Sequence, residues 1–314
     1  MERFRDFVLE QEKAQTTPLI RNLLRKKELL AKGIHDHERI RTALLVMGGG
    51  MRGVYGAGVV TGLEKAGFHD VFDLTAGVSA GAADIAYFLA GQAEYGTPIY
   101  YEQLANKTFI NFARLNKIMD IDYVDHICRF VKPLDQERIR QSRSAFYIGV
   151  TNARTGKGEM IDAKTEGVDI VDLMRASAAV PIVYNKSVSV NGAEYCDGQI
   201  GHGIPLDFVL DRACTDVLLV LNSPISLMNE KHAKLERLLS GVLLRKFTPE
   251  FRTATVMRNQ LYNRSLKPLD ANNTVNIGII APAAISVSFF SRDSKTMQMV
   301  AREAEAQVQS LFYP

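Results

Sequence analysis

Short apolar runs alternate with longer stretches of helical periodicity along most of this chain. Residues 43–47 (ALLVM) are an unbroken apolar run closed by glycines, the pattern of a strand buried on both faces. A helical stretch follows near residues 56–66. Residues 71–76 predict a second strand, which leads through Ser79 into a helix ending near Leu89. Residues 145–152 and 159–162 read as a pair of strands, 169–178 as a helix, and 187–195 as a hairpin around Asn191-Gly192. Residues 216–222 (DVLLVLN) predict another buried strand, 229–265 a basic helical region, 274–281 a further strand and 293–312 a closing helix. Strands alternating with helices in this way predict the α/β class, with a mostly parallel central sheet covered on both faces.

The pattern changes at the N-terminal side of the first strand. Residues 1–42 read as a helical, basic extension, with ten Lys/Arg against seven Asp/Glu, so they carry the whole +3 net charge of the 314 residues. Leu19, Ile20, Leu23, Leu24 and Leu30 form a partial apolar stripe flanked by Arg21, Arg25, Lys26, Lys27 and Lys32. Such a helix either packs on the main domain with a solvated basic face or lies on an anionic membrane surface; packing is the expected outcome. The organisation expected is therefore an extension over 1–42, a catalytic domain over 43–290 and a C-terminal helix over 291–314 packed on that domain. A neutral main body argues against nucleic acid as a partner. No 18-residue apolar run occurs, and residues 1–12 are too charged for a signal peptide, so the expected location is cytoplasmic, with peripheral membrane contact left open. Cys128, Cys196 and Cys214 are widely spaced and read as reduced, buried thiols; with six unclustered histidines they give no metal-ligand pattern, and no metal or cofactor is expected.

Candidate chemistry lies at the ends of the first two strands. Gly77-Val78-Ser79-Ala80-Gly81 fits a GxSxG turn between strand and helix. There a serine occupies a tight, strained position, glycines let neighbouring backbone approach, and the helix N-terminus favours developing negative charge. The bland alternative is a helix N-cap in a small-residue turn. Gly48-Gly49-Gly50-Met51-Arg52-Gly53 lacks the GK[ST] ending of a P-loop. It does satisfy GxGxxG, with Asp73 about 20 residues on, which makes a nucleotide-binding oxidoreductase one alternative; but Asp73 begins its strand instead of ending it. A third reading is an oxyanion hole, in which backbone N–H groups of Gly49, Gly50, Met51 and Arg52 bind the oxygen of a tetrahedral intermediate.

A serine nucleophile needs a proton acceptor. His126, His202 and His232 follow Ser79, and none stands in the context expected of a Ser…Asp…His triad. Asp197-Gly198, directly after the predicted hairpin, is placed to point into a site, although Asp-Gly is also a common turn pair.

In this order, Gly48–Gly53, the Ser79 turn and Asp197-Gly198 resemble the patatin-like phospholipase family, as do the stretches RASAAVPIVY (175–184) and Ile204-Pro205-Leu206. The resemblance covers about residues 42–222 and departs from the usual pattern at Gln199, where a second small residue is common. It implies a three-layer α/β/α domain and a Ser79–Asp197 dyad acting on phospholipid or another acyl-ester lipid, with Gly48, Gly53, Gly77, Gly81 and Gly198 as the supporting motif glycines. On that reading Arg52 meets a phosphate head group or makes a structural salt bridge, and His202 is a bystander or an auxiliary base. Tyr100, Tyr101, Phe109 and Phe112 are candidates for an acyl pocket or for core packing. A lipid-binding protein without catalysis is the remaining alternative.

Overall fold

The computed structural model describes residues 8–10, 17–34, 40–114, 117–226, 244–270 and 275–313. Eleven α-helices and eight strands are named among them, in the order α1 (Pro18–Ala31), β1 (Thr42–Val46), α2 (Val54–Lys65), β2 (Leu74–Val78), α3 (Ala80–Leu89), α4 (Ala93–Gly96), α5 (Ile121–His126), α6 (Gln136–Gln141), β3 (Ala145–Asn152), β4 (Gly158–Asp162), α7 (Ile170–Ser177), β5 (Val188–Val190), β6 (Ala193–Asp197), α8 (Gln199–His202), α9 (Leu206–Leu210), β7 (Asp216–Val220), α10 (Pro249–Ser265), β8 (Asn276–Ile280) and α11 (Ser294–Phe312). The strands form one sheet in the order β5-β6-β3-β2-β1-β7-β8, with β4 also paired to β3. Pairings from β3 through β8 are parallel, whereas β4, β5 and β6 pair antiparallel.

Alternation along the buried strands divides the core into two layers. Leu44, Val46, Leu218 and Val220 face a cluster built with α1, α2, α3, α7 and α11. Ala43, Leu45, Val217 and Leu219 face a smaller one with α9 and α10. The result is the three-layer α/β/α arrangement expected from the sequence.

Several boundaries moved for identifiable reasons. The second strand begins at Leu74, because Val71 turns back to the Phe68 carbonyl and Phe72 packs into the core before pairing starts. The basic helix begins at Pro249, where the Thr248 side chain caps the Phe251 N–H; residues 229–243 of that expected element, with His232, lie outside the described residues. Helix α1 buries Leu19, Ile20 and Leu23 against the domain. Lys26, grouped in the sequence with the flanking basic side chains, is buried too: it bonds Thr42 Oγ1 at 3.0 Å and pairs with Asp73.

Helices α2 and α11 pack closely at Gly58, where an added Cβ would lie 2.3 Å from the Ala301 carbonyl oxygen and 2.9 Å from Ala304 Cβ. Two effects oppose each other in Gly58→Ala. Helix propensity favours alanine by about 1 kcal/mol. Overpacking against a backbone carbonyl, which cannot rotate aside, costs about 1–3 kcal/mol. The expected result is a net loss of up to about 2 kcal/mol, read as a lower urea midpoint with an unchanged slope.

Candidate active site

The register of β3 explains how two distant segments meet. Gly149 pairs with Val78 of β2 on one edge and with Met160 of β4 on the other. The next residue, Val150, pairs with Glu159 of β4 and with Asp197 of β6. Strands β2 and β6 therefore lie end to end along one edge of β3, running toward each other. The chain leaves this edge at Ser79 and arrives at it at Asp197.

Ser79 has φ 56° and ψ −127°, in a region that L-residues rarely occupy. Such strain costs about 1–3 kcal/mol and persists only where surrounding contacts over-determine it. Here the Ser79 N–H donates to Ser177 Oγ at 2.7 Å, and that hydroxyl in turn donates to the Gly149 carbonyl at 2.7 Å. Ala82 N–H closes the first turn of α3 on the Ser79 carbonyl. Close approach does the rest. An added Cβ at Gly81 would lie 2.2 Å from the Val46 carbonyl oxygen, and one at Gly48 would lie 2.5 Å from Ser79 Cβ. The serine turn is thus wedged against the end of β1 and the start of the glycine loop.

Asp197 is 3% exposed. Its Oδ1 accepts the Gln199 N–H at 2.9 Å, and Oδ2 has no conventional hydrogen-bond partner among the described residues. Burial pushes its carboxyl up to about 6, outweighing the opposing pull of the Ser79 hydroxyl and the Gln199 N–H. Gln199, the departure seen in the sequence, reaches back over the glycine loop: its Oε1 lies 2.8 Å from where a Cβ at Gly48 would sit.

The glycine loop enters α2 through a short 3₁₀ turn, Gly50–Gly53, with Gly50 left-handed at φ 58°. Of the four N–H groups expected to face an oxyanion, two are engaged: Met51 donates to the Phe289 carbonyl and Arg52 to the Gly49 carbonyl, each at 3.2 Å. Gly49 and Gly50 N–H have no hydrogen-bond partner among the described residues. Asn222, at the end of β7, fixes the loop from behind, accepting the Gly56 N–H at 2.8 Å and donating to the Met47 carbonyl. The Arg52 guanidinium makes no ion pair among the described residues; its Nε donates to the Gly49 carbonyl and the group lies over the Phe289 ring. The structural salt bridge considered for it is therefore not formed there.

A predominantly apolar cavity opens beside Ser79, between α2, α3, α5 and α7. Tyr100 and Phe109 line it; Tyr101 does not, and Phe112 is exposed against Phe290. His202 is half-buried, with its ring packed against Gly149 of β3 and Gly158 of β4, and does not line the cavity. Burial lowers its imidazole below the usual range. Asp73, the candidate ribose ligand of the nucleotide-binding alternative, instead pairs with Lys26 and accepts the Thr42 N–H. Sequence reasoning missed Ser177 and Asn222: a serine ending a helix and an asparagine ending a strand carry no local mark of partners 98 and 166 residues away.

The patatin-like phospholipase model matches residues 44–210, which contain Ser79, Asp197 and the glycine loop. The chain belongs to the patatin-like phospholipase family. A curated relative in Escherichia coli K12, the uncharacterised protein YjjU, is 28% identical over 191 residues, which is 59% of this chain and 52% of the relative. The chain thus spans about half the length of the curated relative it matches. Among solved structures, VipD from Legionella pneumophila aligns with 87% of this chain and 66% of its own at 13% identity and a TM-score of 0.49. The ExoU–SpcU complex from the type III secretion system of Pseudomonas aeruginosa aligns with 74% of this chain and 52% of its own, at 17% identity and a TM-score of 0.31. No helix among the described residues of this family member is long and apolar enough to cross a membrane.

Proposed function

We propose that this chain is a serine lipid acyl hydrolase, of phospholipase A or lysophospholipase type, working through a Ser79–Asp197 dyad and an acyl-enzyme. The observation that carries the reading is a serine at positive φ beside an apolar cavity, with a buried carboxyl at the adjoining position along β3.

Ser79 Oγ attacks the ester carbonyl carbon while its proton passes to Asp197. The C=O pair moves onto oxygen, which accepts hydrogen bonds from the Gly49 and Gly50 N–H groups at the entrance to α2. Collapse breaks the ester C–O bond, and Asp197 returns the proton to the departing alcohol. Water then attacks the acyl-enzyme by the same route and releases the fatty acid. The acyl chain lies in the apolar cavity, and the Arg52 cation, which makes no ion pair among the described residues, meets a head-group phosphate.

An aspartate at its reference pKa near 3.9 is a weak base for serine. Burial strengthens Asp197 by raising it to about 6, and the group still remains roughly nine-tenths ionised at pH 7. The expected pH profile of kcat/KM on a short-chain nitrophenyl ester follows from this. It rises tenfold per pH unit on the acid side, bends near pH 6 and levels above it. His202→Ala is expected to leave the bend in place. Loss of the bend in His202→Ala, with Asp197→Asn still titrating near 6, would transfer the base to the histidine. Incubation with mixed lipids, with released fatty acid and lysolipid measured, identifies the head group and acyl position cleaved.

A further inference from the structure

The acyl cavity contains a polar group that the proposed mechanism does not use. Asp84 lies five residues beyond Ser79 on α3, is 4% exposed and lines the cavity. Its Oδ1 accepts the Tyr100 hydroxyl at 2.9 Å, whereas Oδ2 is buried with no hydrogen-bond partner among the described residues. Tyr100 lines the same cavity, among apolar neighbours such as Ala57, Val60, Ala83 and Ile99. Among the described residues no cation pairs with Asp84, and burial holds its carboxyl well above the usual range. A cavity for plain alkyl chain gains nothing from such a group, because an unpaired buried polar atom loses its water without replacement.

We propose that Asp84 and Tyr100 form a polar subsite within the acyl cavity that selects acyl groups carrying an oxygen, as a hydroxyl or keto group, along the chain. This specificity rests on the reading of Ser79 as the nucleophile. Five residues of α-helix advance about 7.5 Å, which places the recognised oxygen partway along a medium-length chain instead of beside the ester. Asp84 Oδ2 accepts from a substrate hydroxyl, and the Tyr100 O–H or a protonated Asp84 donates to a ketone. A methylene at that point leaves Asp84 Oδ2 unsatisfied.

The test compares nitrophenyl octanoate with its mid-chain and terminal hydroxy and keto derivatives. For the wild-type chain at least one oxygenated isomer is expected to have a kcat/KM roughly ten- to hundredfold above plain octanoate. Asp84→Leu, of similar size but unable to hydrogen-bond, should reverse that order, and Tyr100→Phe should weaken it. No preference for any oxygenated isomer overturns the subsite. So does an Asp84→Leu variant that slows every ester by the same factor, because the pair would then serve only to support the adjoining backbone at Gly53 and Gly56. A second readout needs neither catalysis nor the variant: the free hydroxyoctanoic acids should raise the Tm of the wild-type chain more than octanoic acid does, and equal shifts overturn the subsite. A chain inert toward every ester that still favours the hydroxy acids would refute the hydrolase reading and leave the subsite standing.

Discussion

Ser79→Ala is expected to reduce release of acid from short-chain nitrophenyl esters by at least about 10⁴-fold, the scale on which removing a serine nucleophile acts. The fold should survive. The backbone N–H at residue 79 still donates to Ser177, and the wedge of Gly48 and Gly81 against β1 and the serine turn involves no atom of the lost hydroxyl's chemistry. Unchanged circular dichroism and urea midpoint would establish this. A fluorophosphonate probe, which reports an activated serine directly, should label the wild-type chain once, at Ser79, and leave the variant unlabelled. Hydrolysis that continues in Ser79→Ala, or labelling at another serine, would remove Ser79 from the mechanism. Intact lipid binding with no hydrolysis in the wild-type chain would favour the non-catalytic alternative.

The parts of this site legible in the sequence are those whose chemistry is local. A glycine run after an apolar strand, and a serine between glycines after another, mark two strand-to-helix turns with the residues that make them. The hairpin at Asn191-Gly192 was equally plain, since both residues take positive φ, as a two-residue turn requires. Asp197 could be ranked above the histidines because it follows that hairpin. Its position beside Ser79 could not be derived, because it depends on two strands abutting along β3, a tertiary event with no signature in either segment. The same applies to the clamp of Ser177 on the Ser79 N–H and to Phe289, whose carbonyl takes the Met51 N–H expected to face the oxyanion. Aromatic residues near the site were ambiguous for a related reason. Tyr100 and Phe109 reach the cavity while Phe112 is 57% exposed, and periodicity alone does not separate cavity lining from surface.

Asp197→Asn should separate activity from stability more sharply than any other substitution. Without a proton acceptor, hydrolysis should fall by about 10³–10⁴-fold, comparable to the loss when the third member of a serine triad is neutralised. Stability should move the other way. The folded-state carboxyl, at about 6, lies above its ordinary value of 3.8, so the folded protein holds the proton more tightly than the unfolded chain does. The sign follows: the wild-type chain loses nothing to this group below about pH 4 and is progressively destabilised as pH rises through 6, where Asp197 must ionise inside the fold. A gap of roughly two pKa units corresponds to about 3 kcal/mol at pH 8, an upper figure because the uncharged amide must still be accommodated beside Gln199. Asn cannot ionise, so Asp197→Asn should be more stable than wild type at pH 8 and nearly equal to it at pH 4, as read from urea midpoints at both values. A variant that is inactive and also less stable at pH 8 would mean that the Asp197 carboxylate is a structural anchor; one that is inactive and more stable marks a site where stability is given up to keep a base charged.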